Sequence, residues 1–279
     1  MPPMTWDPQR LGALLPGVMS LARAAGREIL QVYDSDFAVT LKDDRSPLTA
    51  ADLASQRVIV AGLRALTPDV PVLGEESASG DIAARREWAS LWLVDPLDGT
   101  REFVKRNGEF TVNIALVHEH APVLGVLYVP VTGQCYGAAR GVGAWRHDPH
   151  GERQALHASR RCHEPPRVLA SRSHRGRGID GLLQRLGAHD IVSVGSALKF
   201  ARLAAGEADF YPRLSPTSEW DTAAGQILVE EAGGRVTDLA GAPLRYNARD
   251  TLLNPDFAAW ADDGRDWLAL FAPPVPGRG

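Results

Sequence analysis

The sequence is poor in cysteine, with only Cys135 and Cys162 among its 279 residues. The two lie on different segments, and their spacing matches no zinc or redox motif, because such motifs place cysteines or histidines a few residues apart. Two cysteines are also too few for the disulfide framework of a small secreted domain. We therefore expect two reduced thiols in an intracellular protein.

Long apolar runs are missing as well. No stretch of the chain approaches the ~20 apolar residues that are needed to cross a bilayer. The N-terminal segment carries Asp7 and is broken by Pro8 and Pro16, so it lacks the basic start and apolar core of a signal peptide. We expect a cytoplasmic protein without a transmembrane segment, for which peripheral association with the inner membrane stays open.

Positive charge is not in excess, since 30 Lys and Arg residues stand against 34 Asp and Glu residues and give a formal net charge of −4. A protein that coats a nucleic-acid polymer needs a basic surface, so this partner is not expected. A small anionic ligand held by a few local cations remains compatible with the charge. The G-V-G sequence at 141–143 lacks the third glycine of a dinucleotide fingerprint, and no G-x-x-x-x-G-K sequence is present.

What the sequence does contain is a change of pattern near its middle. The first half opens with helical spacing from Leu11 to Val32, which predicts a long first helix, although Pro16 and Gly17 speak against the first half of that helix. Alternation at Phe37, Val39 and Leu41 then predicts a strand, which the polar loop 42–47 follows. Closely spaced strands follow, as in an antiparallel meander, at 91–94, 110–117, 123–129 and 134–139. In the second half strands and helices alternate as α/β units, at 168–170, 179–186, 191–194, 197–205, 209–211 and 222–232.

The polar stretch 146–166, rich in His, Arg and Pro, is the expected boundary between the two patterns. It predicts an α+β half over residues 1–158 and an α/β half over residues 159–279. A cleft between two such halves is a usual place for a ligand. The sequence leaves open whether the protein is a monomer or a homodimer.

Acidic residues stand out in three short segments: G-E-E-S at 74–77, D-P-L-D-G-T at 95–100 and W-D-T-A-A-G at 220–225. In each, an apolar run or a turn brings a carboxylate to the end of a secondary element, where side chains can converge on a cleft. Clustered carboxylates need protons or cations to neutralise them. Because the ligands are oxygens only, the favoured cation is hard, most simply Mg²⁺. The carboxylates concerned are Glu75, Asp95, Asp98 and Asp221.

Each segment also has a simpler interpretation. Asp-Pro and Asp-Gly pairs form turns, paired acids on a loop are commonly solvated, and Asp221 could cap a helix. Asp52 lies three residues after Thr49, which fits a capping box that opens a second helix. The occurrence of all three segments in one chain favours the metal site. In that interpretation, backbone N–H groups at Gly99 and Thr100 grip a phosphate oxygen.

Together the three segments resemble the lithium-sensitive, magnesium-dependent phosphatase superfamily that includes inositol monophosphatases and fructose 1,6-bisphosphatases. The resemblance runs from residue 21 to about residue 238. Within the superfamily, segment 100–115, with K-R-N-G-E at 105–109, is similar to the bacterial 3′(2′),5′-bisphosphate nucleotidases. The resemblance implies a layered α-β-α-β-α sugar-phosphatase-like fold with the active site between the two halves.

The resemblance also implies a set of site residues. Side chains of Glu75, Asp95, Asp98 and Asp221, with the carbonyl of Leu97, would bind two Mg²⁺ ions, and a third ion stays open. Thr100 with Asp52 would orient and deprotonate the attacking water. The substrate would contact metal-site and second-half residues: Glu75, Leu97, Asp98, Gly99, Thr100, His174, Ser196, Lys199, Arg213 and Asp221. Lys199 and Arg213 supply the positive charge that a dianionic phosphate needs.

The implied activity is Mg²⁺-dependent removal of the 3′-phosphate from adenosine 3′,5′-bisphosphate, giving AMP and phosphate. The same resemblance implies 3′-phosphoadenylyl sulfate as a second substrate, converted to adenylyl sulfate, and a link to sulfur assimilation. Two alternatives stay open: a phosphatase for inositol 1-phosphate or a sugar bisphosphate, and a catalytically silent protein that binds nucleotide or metal. Crowded acids argue against the silent protein, because pure binding does not require them.

Overall fold

Two β-sheets form the frame of the protein, and helices lie outside and between them. The computed structural model describes residues 5–41, 47–77, 84–171, 178–261 and 264–272. Helices in these ranges are α1 (Pro8–Tyr33), α2 (Ala50–Leu66), α3 (Thr100–Val104), α4 (Ile179–Leu186), α5 (Leu198–Ala204) and α6 (Glu219–Glu231), with 3-10 turns at Arg85–Glu87 and Leu268–Phe271.

The larger sheet has seven strands in the order β3-β4-β5-β6-β7-β8-β9. Strands β3 and β4 are parallel, and each later neighbour is antiparallel, so the predicted meander is present. Before it, β1 (Thr40–Leu41) and β2 (Pro47–Leu48) pair as a short ribbon. The seven strands are β3 (Val72–Gly74), β4 (Ser90–Asp98), β5 (Thr111–His118), β6 (Ala121–Val129), β7 (Gln134–Ala139), β8 (Gly143–His147) and β9 (Arg153–Ala155).

The smaller sheet has five strands in the order β11-β10-β12-β14-β13. Strand β10 is parallel to both β11 and β12, as an α/β arrangement requires, and β14 is antiparallel to β12 and β13. Sequence patterns did not predict β13 or β14. The strands are β10 (Arg167–Ser171), β11 (Asp190–Val194), β12 (Phe210–Arg213), β13 (Arg235–Asp238) and β14 (Phe257–Trp260).

Three apolar clusters define five layers. Helices α1 and α2 pack on one face of the larger sheet, through residues such as Ile29, Ile59 and Trp92. Helices α5 and α6 fill the space between the two sheets. Helix α4 covers the outer face of the smaller sheet, where Phe210 stacks on Trp267. The predicted α-β-α-β-α layering is confirmed. Since the middle cluster joins residues of both sheets, the two halves share one core.

Helix α6 is buried on nearly all sides, and two glycines allow its close packing. A Cβ atom on Gly225 would lie 2.3 Å from the ring of Phe200, and one on Gly125 of β6 would lie 2.5 Å from Ile227. Both distances are shorter than real Cβ contacts, so these positions exclude side chains. The helix therefore sits directly between β6 and α5.

The long first helix predicted from Leu11 to Val32 is confirmed, and α1 continues through Pro16. The lost backbone bond costs about 3 kcal/mol, and burial of Leu11, Leu15 and Val18 outweighs it at roughly 1.5–3 kcal/mol each. The predicted strand at 37–41 shrinks to Thr40–Leu41. The polar stretch 146–166 contains β9, so the sheet extends into the expected boundary; the division at residue 158 stays a prediction. The predicted polar loop at 42–47 lies mostly outside the described residues.

Both cysteines are free thiols, as the low cysteine count predicted. Cys135 is buried. Burial raises the pKa of the Cys135 thiol to about 12, so this group stays protonated. Within the described ranges, no helix combines the length and the apolar character needed to cross a membrane.

Candidate active site

Strand β4 ends in the acidic loop, and an irregularity in its pairing with β5 sets the direction of two carboxylates. Asp95 is opposite Asn113 and Asp98 is opposite Thr111, with a shift of register between the two pairs. Residues three apart in a regular strand point to opposite faces of the sheet. The register shift removes that constraint, as β-bulges commonly do beside active sites. Asn113 then donates through Nδ2 to Oδ2 of Asp98 at 3.2 Å.

Asp95 lies at the bottom of this arrangement and is 2% exposed. Its Oδ1 accepts the N–H of Leu97 at 3.0 Å. Parallel pairing of β3 with β4 places Glu75 beside it, since the N–H of Glu75 donates to the carbonyl of Val94 at 3.0 Å. Burial and the charges of Glu75, Asp98 and Asp221 together raise the pKa of Asp95 well above its usual value.

Asp221 reaches the same region from the first turn of α6. Its Oδ2 accepts the N–H of Ser218 at 2.8 Å, which closes the N-terminus of the helix, so the capping interpretation is correct for this residue. Burial, and then the charge of Asp98, raises the pKa of Asp221 to about 8. A cap alone does not require a neighbouring acid. The charges of Asp98 and Glu75 both raise the pKa of Asp221, so Asp221 lies close to these acids as well.

Asp52 and Thr100 approach from α2 and α3. Oδ2 of Asp52 accepts from both the N–H and the hydroxyl of Thr49, at 2.8 and 2.7 Å, so the predicted capping box is present. One turn further along α2, the hydroxyl of Ser55 donates to the carbonyl of Pro96 at 2.7 Å, which fixes α2 against the acidic loop. The Thr100 hydroxyl donates to the carbonyl of Leu97 at 3.3 Å.

Gly99 connects the acidic loop to α3 with a left-handed backbone, at φ 92° and ψ 41°. A Cβ atom there would lie 3.2 Å from the carbonyl of Glu109 and 3.3 Å from Cβ of Ser196. Both the backbone angle and the crowding favour glycine. The loop after β11 thus packs directly on Gly99, and the N–H of Ala197 donates to Oδ2 of Asp98 at 2.5 Å.

Lys199 holds that loop from beneath. Its ammonium donates to the carbonyls of Ser196 and Val194, at 2.6 and 3.2 Å, and the side chain is 4% exposed. Burial lowers the pKa of Lys199 to about 8, although Asp98 nearby opposes the effect. Ser196 adopts a positive φ of 47°. The lysine therefore supports a strained loop that binds Asp98.

These elements enclose a cleft of about 650 Å³ between the two sheets. Its walls include the acidic side chains of Asp98 and Asp221, the Thr100 hydroxyl, and the basic side chains of Lys199 and Arg213. Arg213 is half-buried and donates to the carbonyls of Ser215 and Pro216, at 3.2 and 3.3 Å. A cleft lined by both carboxylates and basic side chains suits an anionic ligand, because the basic side chains can form charge-assisted hydrogen bonds with it.

A model of the inositol monophosphatase family matches residues 13–267 of this sequence. The chain belongs to the inositol monophosphatase family. It is 50% identical, over 88% of its length and 98% of the relative's, to the 3′(2′),5′-bisphosphate nucleotidase CysQ of Escherichia coli strain K12.

Solved structures agree with this membership. The chain is similar to CysQ from Bacteroides thetaiotaomicron, a bacterial member of the family, with a TM-score of 0.76 and 41% identity over 88% of this chain and 96% of that one. It is also similar to the inositol monophosphatase from Anabaena (Nostoc) sp. PCC 7120, with a TM-score of 0.74 and 26% identity over 96% and 98% of the two chains. The family predicted from the three motifs is confirmed.

Members of the inositol monophosphatase family are metal-dependent phosphatases that typically use Mg²⁺. The donor set of this chain suits such an ion, since it consists of oxygens and since burial and neighbouring carboxylates raise the pKa values of Asp95 and Asp221. Within the ranges that the structure describes, no three Asp, Glu, His or Cys side chains form a closed ion-binding group. The acids instead each turn one oxygen to a backbone N–H, as Asp95, Asp98 and Asp221 do.

Most residues predicted from the motifs meet at the cleft. Predicted residues that line it are Asp98, Gly99, Thr100, Ser196, Lys199, Arg213 and Asp221. Asp95 is buried near Asp98, and the charge of Glu75 raises its pKa. The Leu97 carbonyl accepts a hydrogen bond from the Thr100 hydroxyl. His174 lies outside the described residues. Their roles as metal ligands and substrate contacts stay predictions.

Sequence reasoning missed several polar residues of this family site. Oε2 of Glu109 accepts the N–H of Gly195 at 2.8 Å, and Glu102, 5% exposed, lines the cleft beside Gly99. Asn113 orients Asp98 from the neighbouring strand. Glu109 ends the K-R-N-G-E run that distinguishes the nucleotidases, and this was an available signal. Asn113 could be found only by knowing which strand pairs with β4.

Proposed function

We propose that this chain is a 3′(2′),5′-bisphosphate nucleotidase that removes the 3′-phosphate of adenosine 3′,5′-bisphosphate and releases AMP and phosphate. The observation that carries the proposal is the 50% identity to the Escherichia coli nucleotidase, which extends over 98% of that relative. The cleft supports it as well, because both carboxylates and the basic side chains of Lys199 and Arg213 line it. Hydrolysis of 3′-phosphoadenylyl sulfate to adenylyl sulfate, and a place in sulfur assimilation, belong to the same proposal.

Glu75, Asp95, Asp98 and Asp221, with the Leu97 carbonyl, would hold two Mg²⁺ ions, and a third site stays open. When bound, the ions would neutralise the acids, acidify a water molecule and stabilise the leaving oxygen. The raised pKa values of Asp95 and Asp221 support this assignment, because burial and neighbouring carboxylates disfavour their ionised forms and a bound cation would offset both effects.

Asp52 and Thr100 would orient the attacking water and accept its proton. The Asp52 carboxylate is 1% exposed and fixed by Thr49, so its position is set before substrate binds. The Thr100 hydroxyl lies above the Leu97 carbonyl and would orient the attacking water. As the oxygen of that water bonds to phosphorus and the bond from phosphorus to O3′ breaks, the water's proton passes toward Asp52 and the leaving oxygen is protonated by solvent. The N–H groups of Gly99 and Thr100 would bind a phosphate oxygen.

Arg213 is the better candidate for the retained 5′-phosphate. Its guanidinium lines the cleft and can offer further N–H donors, since two of its five serve the carbonyls of Ser215 and Pro216. The Lys199 ammonium donates hydrogen bonds to two carbonyls of its own loop. It therefore contributes positive charge to the cleft, but its main role is to support the loop at Ser196. Ser196 and His174 remain predicted contacts to the base or ribose.

Phosphate release from a panel of substrates tests the proposal. The panel is adenosine 3′,5′-bisphosphate, 3′-phosphoadenylyl sulfate, inositol 1-phosphate and fructose 1,6-bisphosphate, each with Mg²⁺ and with a chelator. We expect the two nucleotides to have the highest kcat/KM, and no turnover with the chelator. A preference for inositol 1-phosphate or the sugar bisphosphate would replace the nucleotidase assignment. Tight nucleotide binding with no phosphate release from any substrate would indicate a silent binding protein.

A further inference from the structure

A second cavity, of about 340 Å³, lies on the other side of the larger sheet, between α1 and the strands β8 and β9. It shares no lining residue with the cleft. Its apolar wall is formed by Leu15, Pro16, Met19 and Val142, and Trp145 closes one side. The volume falls at the small end of the roughly 300–1,000 Å³ that ligand pockets span.

The cavity exists because α1 covers only part of the sheet. The helix packs tightly on β7, where a Cβ on Gly137 would lie 3.1 Å from Met19 and 3.2 Å from Leu15. Strands β8 and β9 form the edge beyond it. At the open end, a Cβ on Gly12 would meet only Val142, at 3.7 Å. A small helix residue thus leaves space that a ligand or a larger side chain could fill.

Basic side chains gather at this cavity without acidic partners. Arg23, His147 and Arg153 all line it, and both arginines lower the pKa of His147, after the effect of burial. Asp148 opposes them, but its Oδ1 already accepts the N–H groups of His150 and Glu152 in the turn between β8 and β9. Among the described residues, no carboxylate forms an ion pair with Arg23 or Arg153.

Trp145 adds a donor and a rigid surface. The guanidinium of Arg153 lies over its ring, 3.3 Å from the centroid. Its indole N–H is buried and has no hydrogen-bond acceptor within the described residues. A buried donor without an acceptor costs about 1–3 kcal/mol, so the position of Trp145 depends on its packing with Arg153.

We propose that this cavity is a binding site for a small amphipathic anion, with its apolar body against Leu15, Met19 and Val142 and its acidic oxygens at Arg23 and Arg153. The charges favour an anion, because Arg23 and Arg153 both line the cavity and both act on His147 without an ion-paired carboxylate, and charge-assisted hydrogen bonds are the strong ones. The apolar wall requires a ring or alkyl body, since a bare inorganic anion would leave that wall uncovered.

The test uses 8-anilinonaphthalene-1-sulfonate, an aromatic anion, and its neutral analogue N-phenyl-1-naphthylamine, which lacks the sulfonate. Fluorescence titration and calorimetry of the whole protein should give one site per chain for the anion. The neutral analogue should bind at least about tenfold more weakly, because one charge-assisted bond contributes at least that factor. Equal affinity for both compounds, or no binding of the anion, would overturn the proposal.

Variants locate the site. The double variant Arg23→Gln, Arg153→Gln should weaken anion binding by at least about tenfold, and Gly12→Leu should do the same by filling the space while keeping every charge. Arg27→Gln is the matched control, since Arg27 is an exposed arginine on the same helix and does not line the cavity. Arg213→Gln controls for the cleft. Unchanged binding in the double variant, or loss in either control, would refute the assignment; normal phosphatase turnover verifies folding of the cavity variants.

Discussion

Asp95, Asp98 and Asp221 have raised pKa values chiefly because burial disfavours the ionised carboxylate. The other site acids raise the pKa values of Asp95 and Asp221 further, and Glu102 raises that of Asp98. Asp98 is partly relieved by Lys199, by Asn113 and by the N–H of Ala197. Asp95 has no cation among the causes that act on it. The protein thus holds its acids at an energetic cost that a bound cation would remove.

Substitution of one acid should separate catalysis from stability. We expect Asp95→Asn and Asp221→Asn each to abolish turnover, because each removes a proposed ligand. The fold should persist, and the melting temperature without added metal should stay level or rise, since a repelling carboxyl is lost. Phosphate release at saturating Mg²⁺ and calorimetry measure the two effects. A variant that keeps more than about a tenth of the activity, a loss under ~1.4 kcal/mol, would show that its residue is not a ligand.

Lys199 and Arg213 should differ in their effects on substrate preference. Arg213→Ala should lower kcat/KM for adenosine 3′,5′-bisphosphate by one to two orders of magnitude, as a lost charge-assisted bond contributes on the order of 1.5–3 kcal/mol. It should hardly change the slow cleavage of inositol 1-phosphate, which has no second phosphate. Lys199→Ala should impair both substrates, because the loop that binds Asp98 loses its support.

Lys199→Arg is the comparison for Lys199→Ala. It keeps the positive charge, but the larger guanidinium does not fit the buried position in which the ammonium donates to two carbonyls. Steady-state kinetics on both substrates measure all three variants. If Arg213→Ala reduced both activities equally, Arg213 would serve the fold or the metal site, and its assignment to the 5′-phosphate would fail.

At the scale of elements, helix α2 shows how one residue can serve both structure and chemistry. Asp52 closes the capping box with Thr49, and Ser55 on the same helix binds the carbonyl of Pro96. Residues in the first two turns of α2 therefore both cap its N-terminus and hold the helix against the acidic loop. Any role of Asp52 as a base depends on this position, which its own hydrogen bonds maintain.

Two substitutions in α2 should separate these roles. Thr49→Val removes the hydroxyl bond and should cost about 1 kcal/mol of unfolding free energy, with turnover within a fewfold of the parent. Asp52→Asn should cost a similar free energy but lower kcat by about a hundredfold or more, the usual contribution of a general base. Urea unfolding and steady-state kinetics give both numbers. Equal kcat in the two variants would assign Asp52 to capping alone.

Elements with strong local signals were predictable from sequence, whereas those that depend on distant partners were not. Helix α2 has both a cap and an apolar stripe, and the meander strands are apolar runs between turns. Strands β13 and β14 are four residues each and gain their identity by pairing with each other and with β12. Pro16 speaks against the first half of α1, because its local cost is visible in the sequence and the tertiary burial that outweighs this cost is not.

The same distinction holds for the candidate site. Local sequence motifs contain Glu75, Asp98, Gly99 and Asp221. Their convergence could therefore be predicted from these motifs and from the family resemblance. Lys199 was predicted to contact phosphate as a cation, but its burial beneath Ser196 depends on the loop conformation. Glu102 and Asn113 have no distinctive sequence context, and only the packing of α3 and β5 brings them to Asp98.

For the whole molecule, the raised pKa values of the buried carboxyl groups predict how the free energy of unfolding depends on pH. A carboxyl whose folded pKa exceeds its unfolded value keeps its proton in the folded state after the unfolded state has lost it. The folded state is then favoured at low pH, and this advantage falls as pH rises between the two values. For Asp221 that window runs from 3.8 to about 8, and for Glu219 from 4.5 to about 7.

We therefore expect the chelated protein to lose unfolding free energy between about pH 5 and pH 8, a window set by these shifts. Urea unfolding at a series of pH values measures the slope. Asp221→Asn is the matched control and should flatten it, and Mg²⁺ should flatten it too if the acids bind the ion. A slope unchanged in the variant would mean that Asp221 is not strained by its neighbours.

Helix α6 has a consequence for the order in which parts of the molecule open. Its backbone lies between both sheets, with Gly225 against Phe200 and Ile227 against Gly125, so its amides at 223–229 cannot reach solvent until the sheets separate. Hydrogen–deuterium exchange there should proceed only through global unfolding, at the free energy that urea unfolding gives. Faster exchange at these amides would show that the helix opens by itself. Because Asp221 stands in the first turn of this helix, that part of the cleft should persist through every smaller fluctuation, while substrate enters and product leaves around it.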